Sequence, residues 1–236
     1  MGKKTTREKT ANDTSTLAVK KAYEYLRDET IAFGFRPGER INEVELAGIL
    51  EMSRAPVREA LNRLVVGGFV DFESGKGFFC RKFSVSEISE LFGVREDLEL
   101  AAAALACRNA TDGQLADLLT DWRVVAETHG SMLIDELILC DERFHMDLAA
   151  LAGNSERMRV LQNINERIRF VRKINIERDD RRVNFVGEHT KIAEAMFRRD
   201  EKRVMELMGY HLGLNSKELK SSIHEGLARI YAEEMV

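Results

Sequence analysis

Proline is nearly absent from this chain. Its two prolines, Pro37 and Pro56, both fall in the first quarter, and none follows Pro56. Proline breaks helices because it lacks an N–H and clashes with the preceding turn. The long proline-free remainder can therefore run as uninterrupted helices. Capping signals mark where some begin: Ser84 precedes Glu87, and Thr111 precedes Gln114, at the three-residue spacing of a capping box. The apolar spacing predicts helices near 85–109, 112–128, 132–152, 155–177, 181–199 and 201–219, with a tail helix from about 221.

The N-terminal third reads differently. Residues 1–14 are basic and polar, which predicts a disordered arm, and a helix follows over about 15–34. Gly34, Pro37 and Gly38 mark a turn. Asn42 with Glu45 has capping-box spacing ahead of a short helix, which breaks at Glu51–Met52. Then comes "SRAPVREALNRL". Ser53 can cap the free N–H groups of the next helix, and Pro56 falls in the first turn, where no intrahelical N–H is lost. Val57, Ala60, Leu61 and Leu64 form one inward stripe, while Arg54, Ala55, Arg58, Asn62 and Arg63 lie off it. Gly67 and Gly68 stop the helix. "FVDFESGKGFFCRKF" then has two strand-like runs around a glycine-rich basic tip, Ser74–Gly77. Two short helices with a tight break, followed by a hairpin, make a winged helix-turn-helix. The expected fold is mainly α: a winged helix-turn-helix domain over 15–83 and an all-α helical bundle over 84–236.

Charge separates the two parts. The net charge is −4. Residues 1–84 hold 15 Lys+Arg against 12 Asp+Glu, a net of +3, and the remainder holds 21 against 28, a net of −7. An anionic partner is therefore expected at the N-terminal third. The three cysteines are scattered and form no C-x-x-C, which argues against a thiolate zinc site and fits reduced thiols in the cytoplasm. No apolar run approaches the ~18 residues of a membrane span, and the N-terminus offers no apolar stretch for a secretion signal.

Arg54 and Arg58 are one turn apart and share an exposed face of the helix's first two turns. Arginines on an outer face are ordinarily just solvated. At the start of a recognition helix, however, the same fork can bond guanine O6 and N7 together. Arg63 and Lys76 can reach phosphates, and Gly75 and Gly77 let the wing backbone approach a groove.

"LRDETIAFGFRPGERINEVELAGILEMSRAPVREALNRLVVGGFVDFESGKGFFC" resembles the winged-helix domain of GntR-type bacterial transcription regulators over about residues 17–82. The resemblance implies that Ser53, Arg54, Ala55 and Arg58 lie at the DNA and that the wing glycines enter its groove. Two departures stand out. Ala55 occupies a place where many members carry threonine, and Val44 one where some carry a further DNA-contacting arginine.

In the C-terminal part, Asp141 and His145 sit one turn apart within the stripe of Ile134, Ile138, Leu148 and Ala152. His189 lies among Phe185, Val186, Ile192, Ala193 and Met196, and His211 follows Val204, Leu207 and Met208 at the same helical spacings. A single inward histidine is usually a hydrogen-bonded core residue. Three of them with an inward aspartate fit a shared divalent metal, because a buried carboxylate needs a counter-charge. Zinc is the first choice, with nickel or manganese as alternatives. Arg95 lies among Leu91, Phe92, Leu98 and Ala102 and needs an anion, either Glu99 or the carboxylate of a ligand. Asn165 and Arg172, on a neighbouring helix, are further ligand candidates.

"LCDERFHMDLAALAGNSERM", "GEHTKIAEAMFRRD", "MGYHLGL" and "LFGVREDLELAAAALAC" resemble the FCD ligand-binding domain of the FadR-type branch of the same regulators, over about residues 85–220. The apparent six-helix length is similar to the VanR-like subgroup. The resemblance implies metal ligation by Asp141, His145, His189 and His211. It also implies a homodimer on double-stranded operator DNA, controlled by a small carboxylate effector, more often as a repressor. Two other readings use the same residues: a metal-dependent hydrolase or oxygenase, and a sensor of the metal ion itself.

Overall fold

The computed structural model describes residues 4–177, 179–213 and 216–232. The chain divides into two compact units, Met1–Phe83 and Ser84–Val236.

The first unit opens with α1 (Lys4–Ile31), followed by β1 (Arg40–Ile41), α2 (Glu43–Ile49), α3 (Arg54–Gly67), β2 (Val70–Glu73) and β3 (Gly77–Cys80). The backbone of residues 4–14, expected as a disordered arm, is the start of α1. No glycine or proline interrupts that stretch, so nothing in it forbids the helix. Residues 1–3 of the expected arm lie outside the described residues. The three strands form an antiparallel sheet in the order β1-β3-β2, with Val70 opposite Cys80 and Glu73 opposite Gly77. Ala22 and Leu26 of α1, Leu46 of α2, Val57 and Leu61 of α3 and Phe78 of β3 share one core.

Local chemistry sets the joints. The Asn42 side chain accepts bonds from the N–H groups of Val44 (3.1 Å) and Glu45 (3.4 Å), starting α2. Glu51 closes it in the left-handed region (φ 52°), a place that usually falls to glycine. Ser53 occupies the N-cap position of α3, yet its side chain makes no cap bond. A cap hydroxyl bonds the second or third N–H of the helix; Pro56 removes the third, and the Ser53 hydroxyl does not bond the second, that of Ala55. Gly68, at φ 75°, ends α3.

The second unit contains seven α-helices among the described residues: α4 (Val85–Asn109), α5 (Asp112–Thr128), α6 (Ile134–Leu151), α7 (Ser155–Glu177), α8 (Asp179–Phe197), α9 (Glu201–Leu212) and α10 (Ser216–Ala232). A single 3₁₀ turn, His129–Ser131, lies between α5 and α6. Ser84 caps α4 through the Glu87 N–H, and Thr111 and Gln114 exchange both bonds of a capping box at α5. The helix expected to run to 219 ends at Leu212, and the expected tail helix begins at Ser216 rather than near 221. Gly213 leaves the helical conformation (ψ 68°), and residues 214 and 215 lie outside the described residues. α4 packs on α6, α7 and α9, α5 on α8, and α10 on α7 and α4. This places the inward faces of α4, α6, α7, α8 and α9 around one centre.

Candidate DNA-reading face and metal centre

The stripe Val57, Ala60, Leu61 and Leu64 is fully buried, and this fixes the opposite face of α3 outward. Ser53, Arg54, Ala55, Arg58 and Arg63 are all exposed there. The wing turn uses Gly75 (φ 78°) and Gly77 (φ 103°), conformations that L side chains rarely adopt, and exposes Lys76. Arg54, Arg58, Arg63 and Lys76 each face an acid. Arg63 Nε donates to Glu59 (3.1 Å), and Lys76 Nζ donates to Glu73 (2.7 Å), a bond that pushes the lysine's pKa up. Arg54 and Arg58 both approach Glu43 of α2, at 3.6 and 3.8 Å. Arg40 on β1 is a basic residue of the wing that sequence reading missed. Its guanidinium would lie 3.8 Å from a Cβ placed on Gly77. Only strand pairing brings it there.

In the second unit the four predicted ligands meet. Asp141 and His145 come from α6, His189 from α8 and His211 from α9. One ligand atom from each lies within 4.8 Å of all the others. His145 Nε2 is 3.3 Å from His189 Nε2 and 3.2 Å from His211 Nε2. Asp141 Oδ1 is 3.4 Å from His145 Nε2 and 3.1 Å from His189 Nε2. Two ligands about 2.1 Å from one ion stand about 3.0 Å apart at octahedral angles and about 3.4 Å apart at tetrahedral ones.

The other ring nitrogens are engaged. His189 Nδ1 donates to the Phe185 carbonyl (2.9 Å), His211 Nδ1 to Glu188 (2.8 Å), and His145 Nδ1 faces the Glu99 carboxylate. An N–H on each Nδ1 leaves each Nε2 as a bare lone pair. Three lone pairs and a carboxylate oxygen then face one point with no proton among them. Burial holds all three imidazoles below the usual histidine range. The neighbouring His145 pushes His189 further down, and His189 and His145 do the same to His211, so protonation is a poor way to relieve the repulsion. The donor set fits a divalent cation.

Beside it is a cavity of about 80 Å³ whose lining includes Arg95, Arg172, Asn175, Glu188 and His211. Arg95 Nε bonds Glu99 at 2.6 Å, so the protein acid does partner it, as one of the two sequence alternatives held. Burial pushes the Glu99 carboxyl up, but Arg95 and then His145 outweigh it and hold Glu99 below the usual carboxylate range. Arg172 pairs with Asp141, and its Nη1 donates to Asn165 Oδ1 (3.3 Å). Asn165 itself is not among the lining residues and acts on Arg172 instead. Burial and then the like charge of Arg95 push the Arg172 pKa down, and the carboxylates of Asp141 and Glu142 face its guanidinium.

Sequence reading missed Glu188, which precedes His189 by one position and faces a different histidine. It also missed Trp122 of α5, the sole tryptophan. Its ring stacks on His189 at 4.4 Å, and its Nε1 donates to the Val186 carbonyl (3.3 Å).

Comparisons with known proteins agree with this architecture. Residues 90–214, more than half of the chain, match the FCD domain, and residues 18–80 match the bacterial regulatory proteins, gntR family. The chain is 36% identical over 201 residues to the Nta operon transcriptional regulator of Aminobacter aminovorans, covering 85% of this chain and 94% of that one. It is 28% identical to the uncharacterized HTH-type transcriptional regulator YdhC of Bacillus subtilis (strain 168), covering 81% and 86%. The solved structure of E. coli McbR/YncC shares the fold with a TM-score of 0.68 at 19% identity, over 92% of this chain and 98% of that one. The two sequence relatives are named as transcriptional regulators, which sets the enzyme reading aside. The chain belongs to the GntR family of bacterial transcription regulators, in the branch whose winged helix is joined to an FCD domain.

Proposed function

We propose that this regulator holds a divalent metal ion through Asp141, His145, His189 and His211 and responds to a small carboxylate bound beside it. The observation that carries the reading is the convergence of three imidazole Nε2 atoms and an Asp141 oxygen on one point while each Nδ1 faces another acceptor, an arrangement that a cation relieves. The ion would supply positive charge and an acceptor site for a ligand carboxylate oxygen. Around it, the guanidiniums of Arg95, Arg172 and Arg169 and a divalent ion oppose the carboxylates of Asp141, Glu99, Glu188 and Glu142. One positive charge is left in excess, which a single carboxylate neutralises. The cavity volume suits a molecule of a few heavy atoms.

On the DNA side, Arg54 and Arg58 read bases at the start of α3, while Arg63 and the wing from Gly75 to Gly77 meet the backbone. The working unit is a homodimer on operator DNA, acting as a repressor in the cytoplasm. Burial of the ligands favours a resident ion over a sensed one, since His189 and His145 are at most 1% exposed. Elemental analysis tests the site. About one equivalent of metal per chain should survive extensive dialysis. His189→Ala should lower that content, and unchanged stoichiometry in the variant contradicts the assignment.

A further inference from the structure

Glu43 is an acid in the middle of a surface read above as meeting DNA. It is the first residue of α2, its side chain is 16% exposed, and Arg54 and Arg58 flank it with side chains 60% and 55% exposed. At 3.6 and 3.8 Å the contacts are within ion-pair range but too long for hydrogen bonds. Glu43 Oε1 is shielded from solvent and has no hydrogen-bond partner. An unsatisfied buried carboxylate oxygen costs stability, so its place needs another account.

We propose that Glu43 is a specificity-determining residue of the DNA-reading face, which positions Arg54 and Arg58 for base edges and opposes phosphate. The inference rests on the reading that these arginines contact DNA. Two guanidiniums one turn apart repel each other and would splay toward separate phosphates. A carboxylate between them offsets that repulsion and restricts both forks to one side of the helix. Because it makes no close bond to either, it leaves their N–H donors available to guanine O6 and N7. Its negative charge also weakens contact with any phosphate, whatever the sequence. Pre-orientation favours only the matching site, whereas repulsion penalises every site, so the two effects together widen the gap between them.

The experiment compares two duplexes: one enriched by the wild-type protein from a randomised pool, and a shuffled duplex of the same composition. Glu43→Gln should bind the shuffled duplex about 2–5-fold more tightly and the enriched one more weakly, so that the ratio falls about tenfold. Glu43→Asp keeps the charge but shortens the reach. It should leave the shuffled affinity as in wild type and still weaken the enriched duplex. A ratio unchanged in Glu43→Gln, or both affinities rising by one factor, would overturn the proposal. So would wild-type affinity of Glu43→Asp for the enriched duplex. Arg54→Ala and Arg58→Ala separate the two levels. If neither weakens the enriched duplex, the reading-face assignment fails. If both do and Glu43→Gln keeps the ratio, the role of Glu43 alone fails.

Discussion

His145 links the two halves of the candidate site: its Nε2 faces the other metal-ligand candidates, and its Nδ1 faces Glu99, which in turn bonds Arg95. Arg95→Met removes the cation from a pair in which both members are buried and leaves a buried carboxylate behind. The expected cost is about 3–5 kcal/mol, measured by urea unfolding, and a loss under about 1 kcal/mol would contradict the pairing. The three histidines set a pH dependence for the metal-free protein. Their pKa values are lowered in the fold, so the unfolded chain binds more protons. Stability should be flat above the unfolded value of about 6.5 and fall as pH drops below it. Denaturant midpoints of chelator-treated protein across pH 5 to 8 (a range of about three units around that value) check this. A midpoint that rises on acidification contradicts it. At this scale the convergence of Asp141, His145, His189 and His211 was legible because each histidine interrupts an apolar helix face. Glu188 was not, because it sits one position from His189 and meets His211 only through the packing of α8 on α9.

Elements carry the next level. α3 was readable in full outline because its apolar stripe repeats at the helical period and two glycines end it. Its cap was misread, since Ser53 makes no cap bond and Pro56 removes one of the two N–H groups that a cap can use. The recognition role predicts that Arg54→Ala and Arg58→Ala each weaken specific DNA binding by about 1–3 kcal/mol in an anisotropy titration. Unchanged affinity in both would remove the assignment. The tail helix α10 was hardest to place, because its start depends on how α9 ends at Gly213. Once formed it packs closely on α7. A Cβ on Gly226 would lie 2.6 Å from Ile174 Cδ1 and 2.9 Å from Phe170 Cδ2. Ser222 Oγ donates to Asn175, a lining residue of the cavity, at 2.5 Å. Gly226→Ala should therefore cost about 1–3 kcal/mol through overpacking, read as a lower thermal midpoint. A neutral substitution would mean that α10 does not seat on α7 in this way.

For the whole molecule, the division into two units was more legible in the sequence than the contacts within each part. A basic N-terminal third, an acidic helical remainder and a change of period near Phe83 were visible in the charges and apolar spacing alone. The contact of Arg54 and Arg58 with an acid was not, because Glu43 reaches them only when α2 folds against α3. Nor was the cavity, which five helices enclose jointly. The central claim is that one ion and one small carboxylate are bound together in the second unit. The direct measurement is a thermal-shift screen of small carboxylic acids, with and without a chelator that itself carries no carboxylate, so that it cannot compete for the cavity. The account predicts an acid that raises the midpoint of the metal-loaded protein and loses that effect once the metal is removed. An acid whose stabilisation survives complete metal removal would contradict it.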